Sequence, residues 1–139
     1  MIVALDVGER RIGIAVSDPS ESYALPLRTL ERTTLHDDLD AIVDVARDYA
    51  AATIVVGDPL SLSGKPELAA RKMDAFVAIL ARAYDGSIER IDERLTTAQA
   101  TRSLVDADVS RRARKRVVDQ LAAVLILDAF LARKRRAAR

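Results

Sequence analysis

Apolar positions change rhythm along this chain, and the changes mark its elements. Ile2–Val7 is a short apolar run, and Arg11–Ser17 (RIGIAVS) alternates in places, with Gly8-Glu9-Arg10 between them reading as a hairpin turn. Ala24–Leu30 predicts a third strand, whose Pro26 suits an edge position, where a missing N–H does least harm. From Thr34 to Tyr49 the period becomes helical: Leu35, Leu39, Ile42, Val43 and Ala46 share one face, and Thr34 and Asp37 are spaced as a capping box. Thr53–Gly57 (TIVVG) predicts a buried strand, and Asp58–Pro66 a loop rich in Ser, Gly and Pro. Glu67–Tyr84 is a second helix, with Leu68, Met73, Phe76, Val77 and Leu80 as its stripe, and Asp85-Gly86 turns the chain into strand Ser87–Asp92. Thr96 and Gln99 have capping-box spacing and open a helix across Ala98–Val105. A final helix is predicted from about Ala113 to Leu131, with Val117, Val118, Leu121, Val124, Leu125 and Leu127 as core candidates.

The element order is therefore βββαβαβαα. Three strands on short turns imply an antiparallel meander, and the later strands, alternating with helices, enter in parallel through right-handed crossovers. The expected fold is α/β, a five-stranded mixed sheet with helices on both faces. The 139 residues fit one domain, 1–139, and the 50% apolar content is enough to build its core.

Charge changes the picture. The net charge of +1 hides ten Lys or Arg against two acids from Val109 onward, a local +8 that leaves −7 on the rest. This asymmetry points to an anionic partner held by the C-terminal part, and a solvated basic helix face explains it about as well. There is no cysteine, which removes thiolate zinc sites, thiol catalysis and disulfides. The N-terminal MIVALDVGERR is too short and too charged for a signal peptide or a membrane span, so a cytoplasmic location without membrane contact is expected.

Three carboxylates stand where solubility does not call for them. Asp6 lies near the end of an apolar strand, Glu93 just past the last strand, and Asp119 within the final helix, followed at i+3 and i+4 by Ala122 and Ala123. Those alanines would let the helix press on the sheet and aim its carboxylate into the same crevice. Each acid has a plainer explanation alone: Asp6 as a cap of the Gly8 turn, Glu93 as a surface loop acid, Asp119 as the partner of Lys115 at i−4. In the proposed topology the two strand ends and the helix converge, which favours a shared role. Clustered carboxylates repel one another until protons or cations intervene, and hard oxygen ligands without Cys or His favour Mg²⁺ or Mn²⁺. Two such ions can activate a water and stabilise the leaving oxygen of a phosphodiester. The lone His36, in a helix's first turn with no ligand partner, is expected on the surface.

At these same residues the chain resembles a family. LDVGERRIGIAVSD (5–18), VVGDPL…G (55–64), DERLTT (92–97) and RKRVVDQLAAVLIL (114–127) are similar to the YqgF family, also called RuvX, whose members are assigned as Holliday junction resolvases or pre-16S rRNA nucleases. The resemblance spans essentially the whole chain; D-x-G alone is weak, whereas DERLTT followed at proper spacing by RK-x-V-V-D-x-x-A-A is specific. It implies an RNase H-like fold, divalent metals, catalytic and metal-binding roles for Asp6, Glu93 and Asp119, and Arg94 and Thr96 lining the site, with Thr96 better read as a helix cap. Two departures stand out. Asp58 and Ser61 replace the usual Leu and Asn of VVGLPLN, with Asp58 either a fourth acid near the site or, the favoured reading, a polar loop residue, and Ala122 stands where RuvC-type resolvases carry a second helical acid.

The basic residues then acquire a use. Arg111, Arg112, Arg114, Lys115 and Arg116 precede Asp119, and Arg10 and Arg11 flank the other side, so phosphates approaching the acids would meet both groups. With aromatics at 4%, backbone charge and shape rather than base stacking should dominate recognition of structured RNA or branched DNA. A twofold-symmetric junction would favour a homodimer, whereas an rRNA precursor would not require one. Two other classes compete. Sugar-kinase, Hsp70 and actin-type ATPases also begin with D-x-G, and need two such domains, more than 139 residues supply. A non-catalytic nucleic-acid-binding or transcription-associated module of the same fold would differ by lacking metal-dependent cleavage.

Overall fold

The computed structural model describes residues 1–58, 66–93 and 112–138, and within them the side chains of all but residues 66, 67 and 112–117. The strands are β1 (Ile2–Val7), β2 (Arg11–Ser17), β3 (Ala24–Glu31), β4 (Thr53–Asp58) and β5 (Ser87–Asp92); the helices are α1 (Leu35–Asp48), α2 (Pro66–Ala83) and α3 (Arg112–Ala137). They form a five-stranded sheet in the order β3-β2-β1-β4-β5. β1 pairs antiparallel with β2, and β2 with β3, while β4 runs parallel to β1 and β5 parallel to β4. The meander, the parallel entries and the edge position of Pro26 are as the residue pattern predicts. The ladder shifts register between Ile14 and Ala15, opposite the stretch around Pro26, as expected where a residue cannot donate.

Strand alternation sorts the core into two layers. Val3, Leu5, Ile12, Ile14, Ile54 and Val56 pack against Leu39, Ile42 and Ala46 of α1 and Met73, Phe76 and Leu80 of α2. Ile2, Ala4, Ala15, Val55 and Ile91 face the other way, against Ala122, Ala123, Ile126 and Leu127 of α3. Thr34 caps α1 as its spacing predicts, its hydroxyl accepting from the Asp37 amide at 3.1 Å. His36 is on the surface, beside Asp40 at 3.3 Å. No helix among the described residues is long and apolar enough to cross a membrane.

Several expectations need correction. Asp58 is not a loop residue: it is the last residue of β4, paired with Asp92, and its carboxylate accepts from Arg90 Nη2 at 2.8 Å. Arg90 also donates to Asp74 of α2 at 2.7 Å, so the strand is extended by an ion-pair bridge between sheet and helix. The two acids hold the Arg90 guanidinium charged more firmly than usual. α3 ends at Ala137, six residues beyond the apolar stripe, where Lys134, Arg135 and Arg136 suit the negative end of the helix dipole and Lys134 binds Glu21 at 2.9 Å. Leu121 and Leu68, counted as core candidates, are exposed; on α3 the small pair Ala122 and Ala123 meets the sheet instead. The predicted helix Ala98–Val105 and its cap lie outside the described residues, as do Ser61, Arg94 and Arg111.

Candidate active site

Local packing explains where the three acids stand. Asp6 follows Ile2 and Ala4 by alternation and so lies on the α3 side of the central strand. Its ladder partner on β2 is Gly13, in a strand otherwise rich in branched residues. A Cβ at Gly13 would overlap the backbone carbonyl of Asp119, so the missing side chain is what lets α3 sit directly on β2. Ala122 and Ala123, both at 0% exposure, complete that close approach. Asp119 is thereby carried over β2 at Gly13, the ladder partner of Asp6.

Glu93 arrives by a similar device. It comes immediately after β5, and a Cβ on Gly57 would meet Glu93 Oε1 at 2.9 Å and the end of Ile126. Gly57 thus leaves room for the Glu93 side chain between β4 and α3. Asp6, Glu93 and Asp119 are all buried, at 2%, 2% and 8% exposure. Three carboxylates on one side of a sheet, withdrawn from water, are costly to keep charged unless cations or hydrogen bonds compensate them. For Asp119 one compensation is visible. Arg11 Nε donates to Asp119 Oδ2 at 2.8 Å, with both side chains largely covered. This is the ion pair seen at Asp119 among the described residues; the side chain of Lys115, its other candidate partner, lies outside them.

The hairpin that carries Arg11 is braced from the opposite layer. The Gly8 amide donates to the Arg11 carbonyl at 2.9 Å, Arg32 Nη1 to the Gly8 carbonyl at 2.8 Å, and the Arg32 amide to the Arg10 carbonyl at 2.9 Å. Buried Asp38 in turn accepts from Arg32 Nε and from the Thr33 amide, both at 3.0 Å. Arg10 is exposed at the tip. Asp58 faces the α2 side, away from the three acids, engaged with Arg90.

The donor set suits a hard divalent cation: oxygen atoms only, from three carboxylates on one face. Their arrangement is not a closed cage. Among the described residues no group of three His, Cys, Asp or Glu side chains stands close enough to hold a metal ion. Of the basic residues expected to meet phosphate, Arg10 is free to do so, Arg11 is engaged with Asp119, and Arg112, Arg114, Lys115 and Arg116 belong to the first turns of α3, their side chains outside the described set. Sequence reasoning passed over Gly13, Gly57 and Arg32. A glycine inside a β-branched strand was the available signal for the first two; nothing local marked Arg32, whose partners are distant in the chain.

Comparison with known proteins bears on the family and the fold. The family model described as "RuvX: Holliday junction resolvase" matches residues 1–133. A protein of Clostridium perfringens named "Putative pre-16S rRNA nuclease" is 37% identical over 132 residues, covering 95% of this chain and 96% of its own. One of Desulforudis audaxviator with the same name is 41% identical over 130 residues, covering 94% and 92%. Among solved structures, T. thermophilus RuvC in complex with a Holliday junction substrate superposes with a TM-score of 0.57 at 14% identity, covering 96% of both chains, a likeness of fold. The sheet and its helices are thus the RNase H-like fold, and the chain belongs to the RuvX family.

Proposed function

We propose that this RuvX-family member is a metal-dependent endonuclease that hydrolyses phosphodiester bonds of structured nucleic acid, with Asp6, Glu93 and Asp119 as its catalytic carboxylates. The observation that carries the reading is the joint burial of these acids on the α3 side of the sheet, with Gly13 and Gly57 making room for them. Burying three carboxylates is a stability cost that packing alone does not call for.

The three acids would hold Mg²⁺ or Mn²⁺. When bound, a pair of such ions activates water and stabilises the leaving oxygen of a phosphodiester. The protein's own part is to fix the acids on rigid elements: Asp6 on the central strand, Glu93 at the end of β5, Asp119 on a helix wedged against β2. Arg10, together with Arg94 and the basic residues Arg111, Arg112, Arg114, Lys115 and Arg116, would neutralise backbone phosphates and align the strand without reading bases. The relatives' names point to precursor 16S rRNA as substrate, and the family description and the RuvC neighbour to a four-way DNA junction. A cytoplasmic location suits either, and a homodimer would suit the junction, whose symmetry presents paired cleavage points.

One purified preparation, offered both substrates with Mg²⁺ or Mn²⁺ alongside an Asp6→Asn control, tests the proposal. Metal-dependent cleavage of at least one substrate, lost in the control, is expected. Binding without cleavage of either would favour a non-catalytic nucleic-acid-binding module of the same fold.

A further inference from the structure

Arg11 was expected to meet phosphate, and instead it lies on a carboxylate assigned to metal. Its Nε donates to Asp119 Oδ2 at 2.8 Å, and the side chains are only 19% and 12% exposed. The contact is not needed to place the helix. The Asp119 backbone is already seated on Gly13, and Ala122 and Ala123 hold the next turn against the sheet. Nor is the Arg11 backbone free to move: its carbonyl closes the Gly8 turn at 2.9 Å, and Arg32 ties that turn to buried Asp38. What can move is the Arg11 side chain, an unbranched stem whose charged head is only partly covered.

We propose that Arg11 is an exchangeable counter-ion, neutralising Asp119 while no divalent ion is bound, yielding it when the ion enters, and then turning its guanidinium to the incoming phosphate. The proposal rests on the metal-dependent reading above and deepens it. The exchange leaves no charge stranded. Asp119 passes from one cation to another, and Arg11 from a carboxylate to a phosphate, each a geometry that a guanidinium matches well. Because the ion competes with Arg11 for Asp119, its apparent affinity is reduced by the fraction of time that Asp119 is released. Linkage then makes ion and phosphate cooperative, since each removes what opposes the other.

The test is a titration with Mn²⁺ alone, at fixed ionic strength, on wild type, Arg11→Gln, Arg11→Lys and Asp119→Asn, read by bound ion and by melting temperature. Arg11→Gln is expected to melt lower than wild type without the ion yet to bind Mn²⁺ about tenfold more tightly, a difference equivalent to about 1.4 kcal/mol. Arg11→Lys should fall between the two, and it serves if Arg11→Gln folds poorly. Affinity of wild type for a four-way DNA junction should rise on adding Mn²⁺, and that gain should shrink in Arg11→Gln. If both Arg11 variants melt lower but bind Mn²⁺ as wild type does, Arg11 is a plain structural bridge and the exchange is wrong, with the metal site intact. If Asp119→Asn binds Mn²⁺ as well as wild type, the ion sits elsewhere, and the exchange falls together with the metal-dependent reading.

Discussion

Replacing Gly13 by Ala is the sharpest perturbation of the site that touches no charged group. The backbone there is not left-handed, so the cost is one of space. The added Cβ overlaps the Asp119 carbonyl, and the obstacle is helix backbone, which cannot step aside as a flexible side chain would. To restore ordinary contact at 3.4–4 Å, α3 must retreat from β2 or turn about its axis. Overpacking of this kind costs about 1–3 kcal/mol, and the stiffer unfolded chain returns roughly 0.4–1 kcal/mol. The difference spans about 0–2.6 kcal/mol. Because the obstacle is helix backbone, the upper half, about 1.3–2.6 kcal/mol, is expected, which for a chain of this length lowers the melting temperature by roughly 4–9 °C. The loss in cleavage should be disproportionate, because a displacement of about 1 Å at a reacting centre can cost about 10²-fold in rate. Calorimetry together with cleavage rates measured well below the transition separates the two effects. A Gly13→Ala protein with wild-type melting temperature would show that α3 is not wedged on Gly13. A lowered melting temperature with unchanged cleavage would show that the seating of Asp119 does not matter to the chemistry.

Other expectations follow from the same geometry. Arg32→Ala strands buried Asp38 and unties the Gly8 turn; it should cost about 2–3 kcal/mol in denaturant unfolding, discounted because Arg32 is partly exposed. A loss below about 0.5 kcal/mol, the usual spread of surface substitutions, would mean the brace is idle. Replacing Arg111, Arg112, Arg114, Lys115 and Arg116 by Gln should flatten the slope of log affinity against log salt by roughly 2–3 units if about three of them meet phosphate, and superimposed curves would make the run a solvated helix entrance. Asp18 accepts from the Ser20 hydroxyl and from the amides of Tyr23, Ser22 and Ser20, which lowers its carboxyl to about 2. A depressed acid stabilises the fold above its ordinary value of 3.8 and loses that contribution as pH falls through about 2. The melting-temperature gap between wild type and Asp18→Asn should therefore be full at neutral pH and close across that window; a gap independent of pH would exclude the carboxylate's charge as its source.

What was legible in the residues, and what was not, divides along the range of the interactions. β1, β2 and β5 follow from apolar runs bounded by turn signals, and their limits need only local chemistry. α1 likewise starts at its cap because Thr34 and Asp37 are neighbours in sequence. Asp58 reads locally as a loop residue because its partner, Arg90, lies on another strand, and the bridge to Asp74 exists only once α2 has packed. α3 outlasts its own apolar periodicity, which stops before Arg133, because the ion pair of Lys134 with Glu21 at the β2–β3 connection supports the helix further. At the site, the burial of Asp6, Glu93 and Asp119 on one side of the sheet accords with their positions at strand ends and on a close-packed helix. That Arg11 would spend its charge on Asp119 was not legible, since a basic residue in a hairpin reads equally as a phosphate contact.

If the buried carboxylates serve metal-dependent cleavage, the single-turnover cleavage rate, with and without Mg²⁺ or Mn²⁺, separates wild type from Asp6→Asn, Glu93→Gln and Asp119→Asn. Each protein is offered a four-way DNA junction and an rRNA precursor. The expected result is cleavage by wild type only with the ion, and loss of most of it in every variant at unchanged substrate affinity. Ion-independent cleavage, or wild-type turnover by Asp119→Asn at matched purity, would contradict it.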